Sequence, residues 1–185
     1  HGSGSAAPAR CEGRDHGNAH ACNVGNMTGT GGLAQRSLRT TVGVLRVTAD
    51  DIGIVAIERV KQSVTTKGSA KANRHAERAV RQLREYFAGM RRRFDVPLHL
   101  EGTDFQERAW AAMRKIPFGS TISYAQQAKQ IGKPRATRAV GTANGANPVP
   151  IIVPCHRVIA SDGSLGGYAL GLAMKRKLLA LEGAN

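Results

Sequence analysis

The residues with the clearest chemical potential lie near the C-terminal end of the chain, in the run Pro154-Cys155-His156-Arg157-Val158. A cysteine followed by a base and a cation can form a nucleophilic thiolate, because a nearby positive charge lowers the pKa of a thiol. Prolines at 148, 150 and 154 restrict the backbone ahead of it. We therefore predict that residues 151–153 form a short, buried, extended segment that delivers Cys155 to a defined place. The alternative is an ordinary buried cysteine.

Spacing alone leaves two sets of partners open for this cysteine. Neighbouring side chains of an extended segment point to opposite sides, so Cys155 and His156 can cooperate only across a bend or through a bridging water. Several glycines between 163 and 171 bracket Tyr168, which indicates a tightly turning loop. Glu182 lies near the end of a predicted helix at 172–182. It is either a solvated charge, which spacing favours, or the carboxylate that orients His156.

Composition limits the function classes. The 185 residues include 27 Lys and Arg against 13 Asp and Glu, a formal net charge of +14 at pH 7, which favours a polyanionic partner. Without an apolar run long enough to span a bilayer, or a secretory signal pattern, we expect a soluble intracellular protein. Three scattered cysteines do not make a disulfide framework, and the odd one is a candidate reactive thiol.

The first half of the chain predicts a polar leader and a small α/β domain. Residues 1–32 contain few large apolar side chains and are interpreted as a disordered arm or leader. Two β-rich segments, 41–48 and 52–60, predict a hairpin, and 61–73 is predicted as a loop. Apolar residues at helical spacing predict a helix over 75–88 that stops at Gly89. These elements define an N-terminal domain over 33–100 with an antiparallel sheet and a helix.

The second half predicts a mostly helical domain over 101–185. Thr103 and Gln106 form a capping-box pattern ahead of an apolar stripe, which predicts a helix ending at Pro117. Two short helices, 123–131 and 136–144, flank a turn at 133–135, as in a helix-turn-helix, with Ala139, Val140 and Ala143 facing inward. The predicted fold class is α+β.

The chain resembles the O6-alkylguanine-DNA alkyltransferase family over residues 102–183, in order and spacing. The motifs that carry the resemblance are Tyr124, Arg138-Ala139-Val140-Gly141, Asn147-Pro148, Pro154-Cys155-His156-Arg157-Val158, Gly167-Tyr168 with Gly171, and Lys175 with Leu178-Leu179 and Glu182. The resemblance implies direct-reversal DNA repair by a methylated-DNA–protein-cysteine methyltransferase that acts once. It also implies transfer from O6-alkylguanine, or O4-alkylthymine, without a cofactor.

The resemblance assigns catalytic roles residue by residue. Cys155 would be the nucleophile, His156 its base through a water, and Glu182 the carboxylate that orients His156. Tyr124 would assist the guanine leaving group at N3 and help to rotate the nucleotide out of the helix. Asn147 would brace the turn before the active-site segment, and Lys175 would favour the thiolate. Because the product is a thioether, which water does not cleave, each molecule would react once.

The resemblance also implies a partner, double-stranded DNA with an alkylated guanine. Arg138 would enter the minor groove and fill the gap left by the extruded base. The remaining residues assigned to DNA contact are Arg135, Ala136, Thr137, Gly141 and Asn144, and those assigned to the substrate pocket are Val158, Tyr168, Ala169, Leu170 and Pro150. Ala169 and Leu170 depart from many relatives at positions that contact guanine or shape tolerance for bulky alkyl groups. We expect a monomer, with cooperative binding along DNA left open, in the cytoplasm with the nucleoid or in the nucleus.

Three other interpretations remain at this point. A DNA-binding module without chemistry would replace the cysteine, which is present here. A cysteine hydrolase or acyltransferase would use Cys155 and His156 but would not explain the basic surplus or Arg138. Zinc is a further alternative: Cys11, His16, His20 and Cys22 are potential ligands, but their spacing is not that of a standard zinc site and no metal is predicted.

Overall fold

The computed structural model describes residues 32–184, and all structural statements concern that part of the chain. The predicted leader over 1–32, and with it the four potential zinc ligands at 11, 16, 20 and 22, falls almost wholly outside the described residues. Within them, no group of three or more His, Cys, Asp or Glu side chains is arranged to hold a metal ion. None of the described helices combines the length and apolarity that crossing a membrane requires.

The N-terminal part is an antiparallel three-stranded sheet in the order β1, β2, β3. Its strands are β1 (Ala34–Thr40), β2 (Gly43–Ala49) and β3 (Ile54–Val60). The predicted hairpin corresponds to β2 and β3 and is confirmed, whereas β1 was not predicted. That strand has the sequence AQRSLRT, in which only Ala34 and Leu38 are buried, so its apolar alternation is too weak to stand out.

The helix α1 (Ala70–Phe87) packs against this sheet. The predicted helix is confirmed, but it begins at Ala70, so the loop prediction is wrong over its last residues. Ser69 caps the helix by accepting a hydrogen bond from the Ala72 amide at 3.0 Å. The first turns bury alanines rather than large side chains, so the apolar periodicity begins too late in the sequence to mark where the helix starts.

The C-terminal part consists of four helices around one small parallel strand pair. The helices are α2 (Asp104–Met113), α3 (Tyr124–Gln130), α4 (Thr137–Gly145) and α5 (Leu172–Glu182), and the strands are β4 (Ile122–Ser123) and β5 (Val158–Ile159). Capping boxes start α2 at Thr103 and α3 at Ser123. The α+β fold class is confirmed. The strand pair was not predicted, because two residues carry no periodicity.

Two details of the predicted helices are wrong. The helix α2 ends at Met113 rather than at Pro117, although Ile116 is still buried beyond its end. In α4, Val140 and Ala143 face inward as predicted, but Ala139 is exposed. Only one side of α4 packs against α2 and α3. Ala139 is not on that side.

The segment that leads to the cysteine is a turn rather than an extended strand. Pro150 and Val153 face each other in an isolated bridge, and Ile151 has a left-handed φ of 78°. A β-branched residue adopts this conformation rarely, so the surrounding structure must hold it there. The segment is buried as predicted. Cys155–Arg157 then forms one turn of 3₁₀ helix, which replaces the extended geometry assumed from the sequence.

Candidate active site

Cys155 forms part of the wall of a cavity of about 540 Å³ between α3, α4 and the loop that precedes α5. The cavity is lined by Tyr124, Thr137, Arg138, Gly141, Thr142, Asn144, Gly145, Cys155, Gly167, Tyr168 and Ala169. Most of these positions were predicted, whereas Thr142 and Gly145 were missed. Three residues assigned to the pocket, Pro150, Val158 and Leu170, are not among the lining residues. Pro150 and Val158 are buried.

The Cys155 thiol is almost fully buried and accepts one side-chain hydrogen bond. Asn147 Nδ2 lies 3.2 Å from Cys155 Sγ and also donates to the Val153 carbonyl at 2.8 Å, while its Oδ1 accepts from the Val149 amide at 3.0 Å. Asn147 therefore joins the turn to the thiol. Burial raises the pKa of Cys155, and the hydrogen bond from Asn147 and the charge of Lys175 oppose that rise. The resting thiol is protonated at neutral pH.

Lys175 brings a buried positive charge to this site from α5. Its Nζ donates to the Val158 carbonyl at 2.6 Å and to the Leu165 carbonyl, and it lies 5.9 Å from the centre of the Tyr124 ring. Burial lowers the pKa of Lys175 to about 8, with Cys155 opposing the shift. Lys175 is therefore still mostly charged at neutral pH.

Behind the thiol, the carboxylate of Glu182 is buried at the end of α5 and accepts hydrogen bonds from several donors. His156 Nε2 lies 2.8 Å from Oε1, the Tyr86 hydroxyl lies 2.7 Å from Oε1, and Arg157 Nε lies 2.8 Å from Oε2. Burial alone would raise the pKa of Glu182, but these donors lower it to about 2. The interpretation of Glu182 as a solvated charge, which spacing had favoured, is therefore wrong.

Arg157 belongs to this carboxylate rather than to the thiol. Its guanidinium makes two contacts with Glu182, at 2.8 and 2.9 Å, and its Nη1 donates to the Ile116 carbonyl at 2.7 Å. The sequence had suggested Arg157 as a cation that activates Cys155. In the structure, Lys175 is the cation that acts on the thiol, and Arg157 compensates the buried charge of Glu182.

His156 is fully buried and held in one tautomer. Burial lowers the pKa of His156, against the opposing effect of Glu182, so the imidazole is neutral at neutral pH. Because Nε2 faces an ionised carboxylate, it must carry the proton, which leaves the lone pair on Nδ1. Within the described residues Nδ1 has no hydrogen-bond partner. A neutral imidazole with a free Nδ1 lone pair is suited to accept a proton.

Tyr124 and Tyr168 contribute two hydroxyl groups to the cavity. Tyr124 begins α3, and its hydroxyl donates to the Gly167 carbonyl at 3.4 Å. Gly166 has a φ of +62°, and a Cβ there would come within 2.9 Å of the Tyr124 ring. The Tyr168 hydroxyl is buried without a hydrogen-bond partner in the described part of the chain, and burial and then Cys155 raise its pKa.

The start of α4 supplies the exposed rim. Arg135, Thr137 and Arg138 are exposed, and Thr137 and Arg138 line the cavity mouth. Ala136 occupies the N-cap position of α4 and is half-buried. A Cβ at Gly141 would lie about 3.9 Å from the Tyr124 ring.

Asn144 does not belong to that exposed rim. Its side chain is buried, and it exchanges hydrogen bonds with Gln127 of α3, at 2.7 and 3.0 Å. Asn144 still lines the cavity, and its contact with DNA stays a prediction. The amide pair joins α3 to α4.

Tyr86 is the main member of the site that sequence reasoning missed. It lies on the buried face of α1 and was interpreted only as part of the apolar stripe of that helix. A buried tyrosine usually finds a hydrogen-bond partner for its hydroxyl, and that rule was the one available signal. Its partner, Glu182, is 96 positions away in the sequence.

The low pKa of Glu182 is directly testable. A carboxylate stabilised by three side-chain donors should stay ionised while pH falls past the ordinary glutamate value of 4.5, and should titrate near 2. Its contribution to stability is present above the unfolded pKa and is lost as pH falls through the folded value. Carbon-detected NMR of the glutamate carboxyl groups measures this. A Glu182 resonance that titrates between pH 4 and 5, like a solvated glutamate, would contradict the network.

Comparisons with known proteins follow the same division of the chain. Residues 34–100 match the family model described as 6-O-methylguanine DNA methyltransferase, ribonuclease-like domain. Residues 104–184 match the model described as 6-O-methylguanine DNA methyltransferase, DNA binding domain. Together these matches cover most of the chain.

Individual relatives and solved structures point to the same family as these two models. A methylated-DNA–protein-cysteine methyltransferase of Methanosarcina acetivorans is 47% identical over 146 residues, which are 77% of this chain and 94% of that protein. The crystal structure of Mycobacterium tuberculosis O6-methylguanine methyltransferase superposes with a TM-score of 0.71 at 42% identity, covering 82% of this chain and 93% of that one. A Mycobacterium tuberculosis structure described as OGT in complex with DNA has a TM-score of 0.71 at 43% identity, over 80% of this chain and 92% of that one. The chain therefore belongs to the 6-O-methylguanine DNA methyltransferase family.

Proposed function

We propose that this protein repairs O6-alkylguanine in duplex DNA by transferring the alkyl group irreversibly to Cys155. One observation carries the proposal: a buried thiol lies in the wall of a cavity beside α4, with a neutral histidine and its ionised carboxylate partner directly behind it. Family membership supports both the reaction and DNA as the partner. O4-alkylthymine, with a comparable alkyl ether, is a second proposed substrate.

In the proposed step, His156 Nδ1 accepts the thiol proton through a bridging water. Cys155 Sγ then attacks the alkyl carbon; the Sγ–C bond forms while the C–O6 bond breaks, and the electron pair leaves with guanine, which takes up a proton. The Lys175 ammonium and the Asn147 amide stabilise the thiolate. A hydrogen bond from the Tyr124 hydroxyl to guanine N3 stabilises the leaving base. No cofactor enters the step, and the thioether product leaves no route back to the thiol.

Access to the thiol requires the base to leave the duplex. The exposed Arg138 at the cavity mouth is placed to enter the minor groove and occupy the gap left by the extruded nucleotide. Arg135, Ala136, Thr137 and Gly141 are proposed to contact the DNA backbone, which fixes the position of α4 without reading sequence. Tyr168 and Ala169 form the wall against the flipped base.

The proposal also covers the domain boundaries, the oligomeric state and the location of the protein. Residues 33–100 and 101–185 are proposed as two structural domains, and the protein acts as a monomer. It meets its substrate where DNA is found, in the cytoplasm with the nucleoid or in the nucleus.

Mass spectrometry of the intact protein tests the reaction. After incubation with a duplex that contains O6-methylguanine, the wild-type protein should gain one methyl group per molecule and then stop. Cys155→Ala should gain none, because it lacks the acceptor. Repeated turnover, or an unchanged mass for folded wild-type protein, would contradict the proposal; repeated turnover would instead favour a hydrolytic cysteine enzyme.

The role of Arg138 is tested by comparing two substrates. Arg138→Ala should slow methyl transfer from a duplex roughly tenfold or more, because the cost of unstacking the base is no longer offset. It should leave transfer from free O6-methylguanine unchanged. Arg135→Ala is the matched control, since it removes a neighbouring exposed arginine and should weaken DNA affinity in a salt-dependent way. Equal rate losses on the duplex and on the free base would exclude the base-replacement role.

A further inference from the structure

The outward face of α1 carries a second set of cations that the proposed reaction does not use. Arg74, Arg78, Arg81 and Arg84 lie on the side of the helix opposite the buried alanines, and we call them the α1 arginine face. Together with His75 and Glu77 they line a shallow groove of about 510 Å³. From Arg74 to Arg84 the helix rises about 15 Å. That length matches four to five base pairs of duplex at about 3.4 Å each.

The acidic residues nearest this face are already paired. Glu77 binds Arg36 at 3.0 Å and Glu85 binds Arg91 at 2.6 Å, each with an arginine outside the set. Asp95 pairs with Arg78. In the part of the chain that the structure describes, Arg74, Arg81 and Arg84 form no ion pair, and all three are exposed. Of the residues that line the groove, these three arginines therefore present guanidinium groups that no carboxylate binds directly.

The α1 arginine face is separate from the DNA-reading surface. The residues that line its groove all belong to α1, whereas the cavity at Cys155 is lined by α3, α4, the cysteine and the loop before α5. No residue is shared. The buried side of α1 nevertheless reaches the active site, through the hydrogen bond from Tyr86 to Glu182. A contact at this helix would thus be made by the helix whose buried side donates a hydrogen bond to Glu182.

We propose that the α1 arginine face is a second binding surface for the phosphate backbone of duplex DNA, distinct from the surface at α4. Guanidinium groups match phosphate in charge and in bidentate geometry, and an exposed helix face with three unpaired arginines suits a rod of negative charge. The contact is independent of sequence and of damage. It holds undamaged duplex while α4 samples bases. The proposal rests on the proposed function only in taking DNA as the partner.

The test compares two triple variants of the whole protein that remove equal charge. Arg74→Gln, Arg81→Gln and Arg84→Gln together remove the free cations of the face. Arg59→Gln, Lys61→Gln and Lys67→Gln together form the control, since these residues are also exposed and lie outside both cavities. Affinity for an undamaged duplex of about 30 base pairs is measured as salt rises from about 50 to 200 mM. Circular dichroism and methyl transfer from free O6-methylguanine confirm that both variants are folded and active.

The face variant should reduce the slope of log affinity against log salt by about 2 to 3, since each phosphate contact contributes about 0.9. The control variant should change the slope by less than about 0.9, the contribution of one phosphate contact. Equal reductions in the two variants would overturn the proposal, because diffuse charge alone would then account for binding. Loss of binding to anionic phosphatidylglycerol vesicles with an unchanged DNA slope would also overturn it. A wild-type protein that binds DNA but transfers no methyl group would contradict the proposed function alone, and the slope difference would still decide this proposal.

Discussion

The rest of the site depends on one buried carboxylate. Glu182 accepts hydrogen bonds from Tyr86 of α1 and from His156 and Arg157 beside the thiol, so residues far apart in the sequence meet at one charge. A buried ion costs several kcal/mol unless it is fully paired, and removing one partner of such a set is strongly destabilising. The same contacts that keep Glu182 ionised therefore fix the orientation of His156 and join the N-terminal sheet and helix to the catalytic part.

A second buried charge acts at the thiol itself. Burial raises the pKa of Cys155, so the thiol rests protonated, and the Lys175 ammonium is held nearby by backbone carbonyls rather than by an acid. That ammonium has no carboxylate to neutralise it within this set of contacts, so its charge is available to a thiolate when one forms. In the proposed mechanism, proton removal by His156 and charge stabilisation by Lys175 are separate tasks of separate residues.

The sequence predicts local features well and long-range ones poorly. The capping box at Thr103 and the hairpin of β2 and β3 follow from short patterns, and the structure has both. The strand β1 and the left-handed turn at Ile151 were missed, because neighbours in space rather than in sequence stabilise them. Spacing alone favoured a solvated Glu182, and only the family resemblance pointed to His156. The contribution of Tyr86 depends on a contact across 96 positions, which no local pattern encodes.

The central claim is that the Glu182 network holds His156 as a neutral base with its lone pair on Nδ1. Nitrogen-15 NMR of the imidazole side chains in the resting protein near neutral pH measures this directly. We expect a neutral His156 ring with the proton on Nε2 and an unprotonated Nδ1. An imidazolium signal, or a proton on Nδ1, would contradict it, because His156 could not then take the proton from Cys155.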